Sequence, residues 1–230
     1  MGEQKTQQGT SGPDIWQVRT LNTSGEWELL KRHRTWPHSQ PHSTYVAPIG
    51  AQYDPGVWEK IVNMVMFTSR QGIKVWLEEV FPARGGVMPM VDIGYMRDLA
   101  VRRAADAGFE WVLLIDGDTE PEPGMLLKLL DREMPIIAPY MLDPNYENIM
   151  LGEPIREPNT GLQPALWVAA SCILFRTSVF NCGVTFTGAP GDDLFFRNFW
   201  HYGHRPYIDT NVELKLTRGP TRAGAMSWKD

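Results

Sequence analysis

The hydrophobic positions follow two alternating patterns along the chain. Predominantly apolar runs of strand length predict strands at residues 45–49, 73–77, 109–115, 135–140 and 167–175. Apolar residues at helical spacing predict helices at residues 57–69 and 92–107, and further helices are predicted at residues 124–133, after Pro121 and Pro123, and at residues 193–202. Strands without polar alternation are typical of a mostly parallel sheet covered by helices on both faces. The pattern therefore predicts an α/β fold that binds ligands beyond the carboxyl ends of its strands.

The patterning also divides the chain. Residues 1–42 are rich in Gln, Ser, Thr, Gly, His and Pro, and we expect a partly ordered N-terminal extension there. Residues 43–219 form the single α/β domain, and residues 220–230 form a loose tail. Within the domain, residues 143–164 show no period and predict a loop of the kind that often lies over a ligand site.

Composition removes several classes of function. The 230 residues are 43% hydrophobic and 21% charged, which is ordinary for a globular protein. A net charge of −5 argues against a direct nucleic-acid binder. No apolar run approaches the roughly 20 residues needed to span a bilayer. Two cysteines indicate no disulfide framework, and without an export signal they favour a cytoplasmic location.

Two carboxylates follow the apolar run that predicts the strand at residues 109–115. Asp116 and Asp118 are two positions apart, so their side chains project to the same side at the end of residues 109–115. Such a pair suits a hard divalent cation, Mn²⁺ or Mg²⁺, that also binds substrate phosphates. The alternative is a turn in which the two Asp side chains only bond to nearby backbone.

The segment Asp116-Gly117-Asp118 resembles the Asp-x-Asp segment of the family 2 glycosyltransferases, which have the GT-A fold of the nucleotide-diphospho-sugar transferases. Three further segments match in order: residues 97–100, where Asp98 replaces the usual Asn; residues 167–176, similar to the family's Gly/Ala-rich strand; and residues 191–196, similar to its Glu-Asp segment. The likeness spans about residues 44–219. The His that the family commonly has near Thr217 is missing.

The resemblance implies roles for individual residues. Asp118 would bind the metal, and Asp116 would contact the donor ribose or share the metal through water. Arg97 would approach the diphosphate or brace the Asp-x-Asp segment, with a simple ion pair on the helix surface as its alternative. The segment after the first strand would lie near the base or ribose through Pro48, Tyr53 and Asp54.

The Glu-Asp segment would supply the catalytic acids. Attack by an acceptor hydroxyl needs a base to take its proton, and the resemblance assigns that role to Asp193. Asp192 is a second catalytic candidate, with capping of the helix as its equal alternative. The nearby Trp200, His201, Tyr202 and His204 are further candidates because aromatic faces stack on sugars, although packing alone also explains such residues.

The implied function is metal-dependent transfer of a sugar from a UDP- or GDP-linked donor to an unidentified acceptor hydroxyl, with inversion at the anomeric carbon. One alternative is a GT-A-like protein that binds nucleotide sugar or glycan without turnover. Another is a nucleotidyltransferase, although residues 50–56 are not the glycine-rich basic loop that would cradle a triphosphate.

Overall fold

The computed structural model describes most of the predicted α/β domain and two short strands before it. Backbone is described for residues 16–21, 27–32, 42–50, 55–80, 90–142, 159–187 and 192–217. Side chains are described for residues 42–50, 55–80, 93–141, 159–187 and 194–217. The chain divides into two units, residues 1–38 and residues 39–230, which are described separately.

The first unit contains a β-hairpin. Strands β1 (Trp16–Leu21) and β2 (Trp27–Arg32) pair antiparallel, with Trp16 opposite Arg32 and Leu21 opposite Trp27. The low-complexity composition of residues 1–42 predicted an extension and gave no indication of these strands. The proposed boundary between extension and domain remains a prediction.

The second unit alternates strands and helices. Its elements are β3 (Thr44–Ile49), α1 (Pro55–Arg70), β4 (Val75–Leu77), α2 (Met90–Asp106), β5 (Trp111–Asp116), β6 (Thr119–Glu120), α3 (Met125–Leu130), β7 (Ile136–Leu142), β8 (Leu162–Pro164), β9 (Cys172–Arg176), a 3₁₀ helix (Thr177–Cys182), α4 (Asp192–His201) and β10 (Tyr207–Leu216). None of the helices in the described part of the chain is long and apolar enough to cross a membrane.

Strands β3 to β10 form one mixed sheet. Its order is β4-β3-β5-β9-β7-β10-β6, and β8 pairs with β10. Strands β4, β3 and β5 run parallel, as do β7 and β10. Strand β9 runs antiparallel to both β5 and β7. The predicted α/β fold class is confirmed, with one refinement: the predicted strand 167–175 begins only at Cys172 and opposes its neighbours.

The core forms around β5 because this strand has neighbours on both edges and no polar residue before its end. Its first five residues, Trp111 to Ile115, are fully buried. Helix α2 contacts β3 and β5, and α1 contacts β4. A phenylalanine cluster from β9, the 3₁₀ helix, the segment that follows it and α4 packs beside them and consists of Phe175, Phe180, Phe186, Phe195, Phe196 and Phe199.

Strand β10 was not predicted from the sequence. Its register against β7 shifts between Asp209 and Glu213, which marks a bulge. Arg132, just after α3, donates a 2.6 Å hydrogen bond from Nε to the fully buried Asp209 carboxylate. Beyond the bulge, β10 pairs with β6, with Leu216 opposite Thr119. The end of β10 therefore reaches the Asp-x-Asp turn.

Candidate functional site

The Asp-x-Asp segment begins where β5 leaves the sheet. The Asp116 amide still donates to the Ser171 carbonyl at 2.6 Å, and the Gly117 amide donates to the Ile49 carbonyl at 3.0 Å. Asp116 is opposite Ile49 in the β3–β5 register, and Pro48 is opposite Ile115. The segment therefore lies at the carboxyl ends of two parallel strands, the edge at which open α/β sheets bind ligands.

Asp116 forms an ion pair with Arg97 of α2. The guanidinium Nη2 lies 3.3 Å from Oδ1 and 3.4 Å from Oδ2 of the carboxylate. Both side chains are largely buried, with exposed fractions of 11% for Arg97 and 17% for Asp116. Low exposure reduces solvent screening, so this pair holds the carboxylate more firmly than a surface ion pair does.

Thr217 holds the backbone of Asp118. Its amide donates to the Asp118 carbonyl at 2.7 Å, and its hydroxyl Oγ1 donates to the same oxygen at 2.9 Å. One residue further along the turn, the Thr119 hydroxyl donates to the Asp116 carbonyl at 2.7 Å. The position near which the family commonly has a metal-binding His is therefore used here to fix the Asp-x-Asp turn.

The donor set at this turn suits a cation that receives part of its coordination from a substrate. Where the structure describes side chains, no group of three or more His, Cys, Asp or Glu residues gathers around one point. Asp116 is paired with Arg97, and Asp118 supplies a second carboxylate at the same turn. One or two carboxylates plus substrate phosphates is the usual environment of Mg²⁺ in such sites. The residues present fit that arrangement.

Cys172 lies beside the site, at the start of β9 and opposite Ile115. It is fully buried. Burial raises the pKa of its thiol well above the usual range, and the nearby charge of Asp116 raises it further. A neutral, inaccessible thiol packs as a small apolar side chain and takes no part in chemistry.

A residue whose importance the sequence did not reveal is Asp98. Its Oδ1 accepts the Phe186 amide at 2.7 Å, while Oδ2 accepts the Thr187 amide at 3.0 Å and the Thr187 hydroxyl at 2.7 Å. The partners lie 88 and 89 positions away along the chain, so no local sequence pattern predicts the contact. Only the replacement of the family's Asn marked the position.

The remaining predicted residues lie on α4, directly after it as Tyr202 and His204 do, or outside the described residues. Asp192 and Asp193 begin α4, and their side chains belong to the part that is not described. Tyr53 and Asp54 also lie outside the described residues. Exposed Trp200 lies toward the other end of α4, about 10 Å along the axis from Asp193 at about 1.5 Å per residue. The structure thus brings Pro48, Arg97, Asp116 and Asp118 to one edge of the sheet.

No protein-family model matches the chain, and no curated protein matches it. Solved structures do. The chain is similar to TarS (residues 1–349) of S. aureus, solved in complex with UDP-GlcNAc, with a TM-score of 0.50 and 13% identity over 77% of this chain. It spans 58% of that structure.

The chain is also similar to a Drosophila β1,4-galactosyltransferase 7 variant, solved with manganese, UDP-Gal and xylobiose. The TM-score is 0.52, with 14% identity over 77% of this chain and 71% of the other. Both structures are GT-A glycosyltransferases. Identity this low bears on the fold alone, which agrees with the mixed sheet and its flanking helices. The chain has the GT-A fold.

Proposed function

We propose that this protein is a glycosyltransferase that moves a hexose-type sugar from a UDP- or GDP-linked donor to an acceptor hydroxyl, assisted by Mn²⁺ or Mg²⁺. The observation that carries the proposal is the acidic turn Asp116-Gly117-Asp118 at the carboxyl end of buried β5, held by Arg97 and Thr217. The UDP-GlcNAc in TarS and the UDP-Gal and manganese in the Drosophila enzyme support the donor class.

The acidic turn would bind the donor diphosphate through a cation. Asp118 is the proposed metal ligand, and Asp116 contacts the ribose or shares the metal through water. When bound, the cation neutralises the charge that develops on the nucleoside diphosphate leaving group. Arg97 keeps Asp116 in place and brings a positive charge to the same edge. Pro48, Tyr53 and Asp54, at the end of β3 and after it, are the proposed contacts to base and ribose.

The proposed general base is Asp193. Transfer requires removal of the acceptor hydroxyl proton as the oxygen attacks the anomeric carbon, and a carboxylate held near that hydroxyl can accept the proton. Direct attack on the donor inverts the anomeric centre. Asp192, one position earlier, is the second candidate, with capping of α4 as its alternative role.

One observation favours a second candidate function, a domain that binds nucleotide sugar without turnover. The amide and the hydroxyl of Thr217 both donate to the Asp118 carbonyl. A threonine at this position gives the cation no imidazole ligand. A binding domain has no need of a general base. It would show no turnover with or without Asp193→Ala, and its donor affinity would stay unchanged. An enzyme with that substitution keeps donor binding and loses turnover.

Isothermal titration with UDP-, GDP- and dTDP-sugars, with and without Mn²⁺, tests the donor site. We expect Mn²⁺-dependent binding of one nucleotide class and a loss of affinity on the order of 100-fold in Asp118→Ala. The control is Asp106→Ala, an exposed carboxylate near the end of α2, which should bind as the unmodified protein does. If the unmodified protein binds no donor in the panel, the proposed function is wrong.

A further inference from the structure

One short stretch of α2 contacts two different parts of the candidate site. Gly94, Arg97 and Asp98 are spaced by three and four positions, so they lie on one face of the helix. Arg97 bonds to Asp116 at the end of β5. Asp98 bonds to the segment at Phe186 and Thr187, which precedes α4. A single helix therefore contacts both the proposed donor side and the segment that precedes the helix carrying the proposed base.

The contact between Asp98 and this segment uses the whole carboxylate. Two backbone amides and one hydroxyl donate to its two oxygens, at 2.7, 3.0 and 2.7 Å. An ionised carboxylate only accepts hydrogen bonds, so it matches three donors. An Asn would keep one carbonyl oxygen and turn an NH₂ group toward a backbone N–H, which is a clash of two donors. The Asp found here in place of the family's Asn thus suits this segment.

Gly94 provides an independent sign that the segment must stay close to α2. A Cβ at this position would lie 3.3 Å from the Phe186 carbonyl oxygen, 3.4 Å from its carbon and 3.5 Å from the Thr187 nitrogen. All three atoms are backbone, which cannot rotate away as a flexible side chain can. The helix and the segment therefore approach each other as closely as they do because residue 94 has no side chain.

Phe186 connects this segment to α4 through a contact between aromatic rings. Its ring stacks on Phe195, with centroids 3.8 Å apart and planes at 14°, and both rings are buried. Phe195 follows Asp192 and Asp193 within the first turn of α4. The Arg97 guanidinium also lies over the Phe186 ring, 5.7 Å from its centroid. Contacts thus run without a gap from Asp116 through Arg97 and Phe186 to the start of α4.

We infer that Asp98 is a positioning residue for sugar transfer: it fixes the first turn of α4, with Asp192 and Asp193, relative to the donor site at Asp116. The inference rests on the proposed function of those acids. Near-attack geometry is sensitive to displacements of about 1 Å, which can cost on the order of 100-fold in rate. Loss of Asp98 should therefore slow transfer and leave donor binding intact, because Asp116 keeps its own contact with Arg97.

The first test compares turnover with donor affinity in Asp98→Ala, Asp98→Asn and Asp106→Ala. Turnover is measured as release of nucleoside diphosphate from the donor identified by titration, and affinity by the titration itself. We expect turnover to fall on the order of 100-fold in Asp98→Ala and about tenfold in Asp98→Asn, at unchanged donor Kd. Asp106→Ala should match the unmodified protein. Unchanged turnover in both Asp98 variants, or a donor affinity that falls in step with turnover, would overturn the inference.

The second test does not depend on activity. In Asp98→Ala, amide hydrogen exchange should become faster at Phe186 and Thr187 and in residues 194–198 of α4. Asp98→Asn should show the same change to a smaller extent. This milder variant keeps the test available if Asp98→Ala folds poorly. Exchange in β5 should stay the same. The two proposals can fail separately. Absence of turnover in the unmodified protein would contradict the proposed function. Unchanged exchange of residues 194–198 in Asp98→Ala would contradict the positioning role.

Discussion

At the scale of single residues, the two cysteines differ in how far they are buried. Cys172 is fully buried, and burial together with the charge of Asp116 raises the pKa of its thiol. Cys182 is partly exposed in the 3₁₀ helix. Because the thiolate is the reactive form, Cys172 should stay unreactive from about pH 7 to about pH 9. We expect an aromatic disulfide reagent to titrate one thiol per chain in the native protein and two after denaturation.

The Cys182→Ser variant provides the control for this experiment. Its native form should show no reactive thiol, and its denatured form should show one. Rapid reaction of the native variant would contradict the structure, because β9 would then have to separate from β5 beside the candidate site. A reaction that needs global unfolding would instead show that this part of the sheet opens only with the whole domain.

At the scale of elements, the bulge in β10 depends on an ion pair between sequence-distant positions. The fully buried Asp209 accepts from Arg132 Nε at 2.6 Å and from the Asn211 amide at 3.0 Å. Removing Arg132 leaves a buried carboxylate without its cation. Because the Arg132 side chain is 38% exposed, water can replace part of the interaction. We expect Arg132→Ala to lower the free energy of unfolding by about 2–3 kcal/mol in urea denaturation.

A matched control lies on α3, where Lys128 pairs with Glu122 at 3.4 Å and both side chains are at least half exposed. Lys128→Ala should lower the free energy of unfolding by less than about 0.5 kcal/mol, because exposed ion pairs contribute little to stability. Equal costs for the two substitutions would mean that burial of Asp209 does not determine the effect. A selective loss would instead connect the bulge to the stability of the strand that carries Thr217 to the Asp-x-Asp turn.

At the scale of the whole molecule, the sequence predicted what is local and missed what is distant. Buried parallel strands leave continuous apolar runs, so β3, β5 and β7 were predicted near their true bounds. The direction of β9 depends on pairing with two strands far away in sequence. Strand β10 mixes polar and apolar residues around a bulge, which hides its period.

The same distinction holds for the candidate site. The Asp-x-Asp turn lies directly after a buried strand, and this local signal was sufficient to find it. The role of Asp98 depends on a loop 88 positions away, and the role of Thr217 depends on where β10 ends. Neither contact leaves a pattern along the chain, because hydrogen bonds between groups far apart in the sequence place no demand on neighbouring residues.

The division of the chain into two units leads to a prediction about truncation. Residues 39–230 contain the described core and every candidate site residue, so this fragment should fold by itself and keep the donor affinity of the full chain. We expect its Tm to lie within about 2 °C of the full chain's main transition, since about 1 kcal/mol shifts the Tm of a domain this size by roughly 2–4 °C. Calorimetry and donor titration on both proteins measure the two quantities.

A fragment of residues 44–230 tests where the unit begins. It lacks His42, whose amide donates to the Glu110 carboxylate at 2.8 Å, and Ser43, whose hydroxyl and carbonyl accept the amides of Glu110 at 3.1 Å and Trp111 at 2.9 Å. The 2.9 Å bond from the Thr44 hydroxyl to the His42 carbonyl is lost as well. The four lost hydrogen bonds contribute about 1 kcal/mol each. The Tm should therefore fall by roughly 8–16 °C relative to the fragment of residues 39–230. Equal Tm values for the two fragments would show that these bonds contribute nothing, and would place the start of the folded unit at β3 itself.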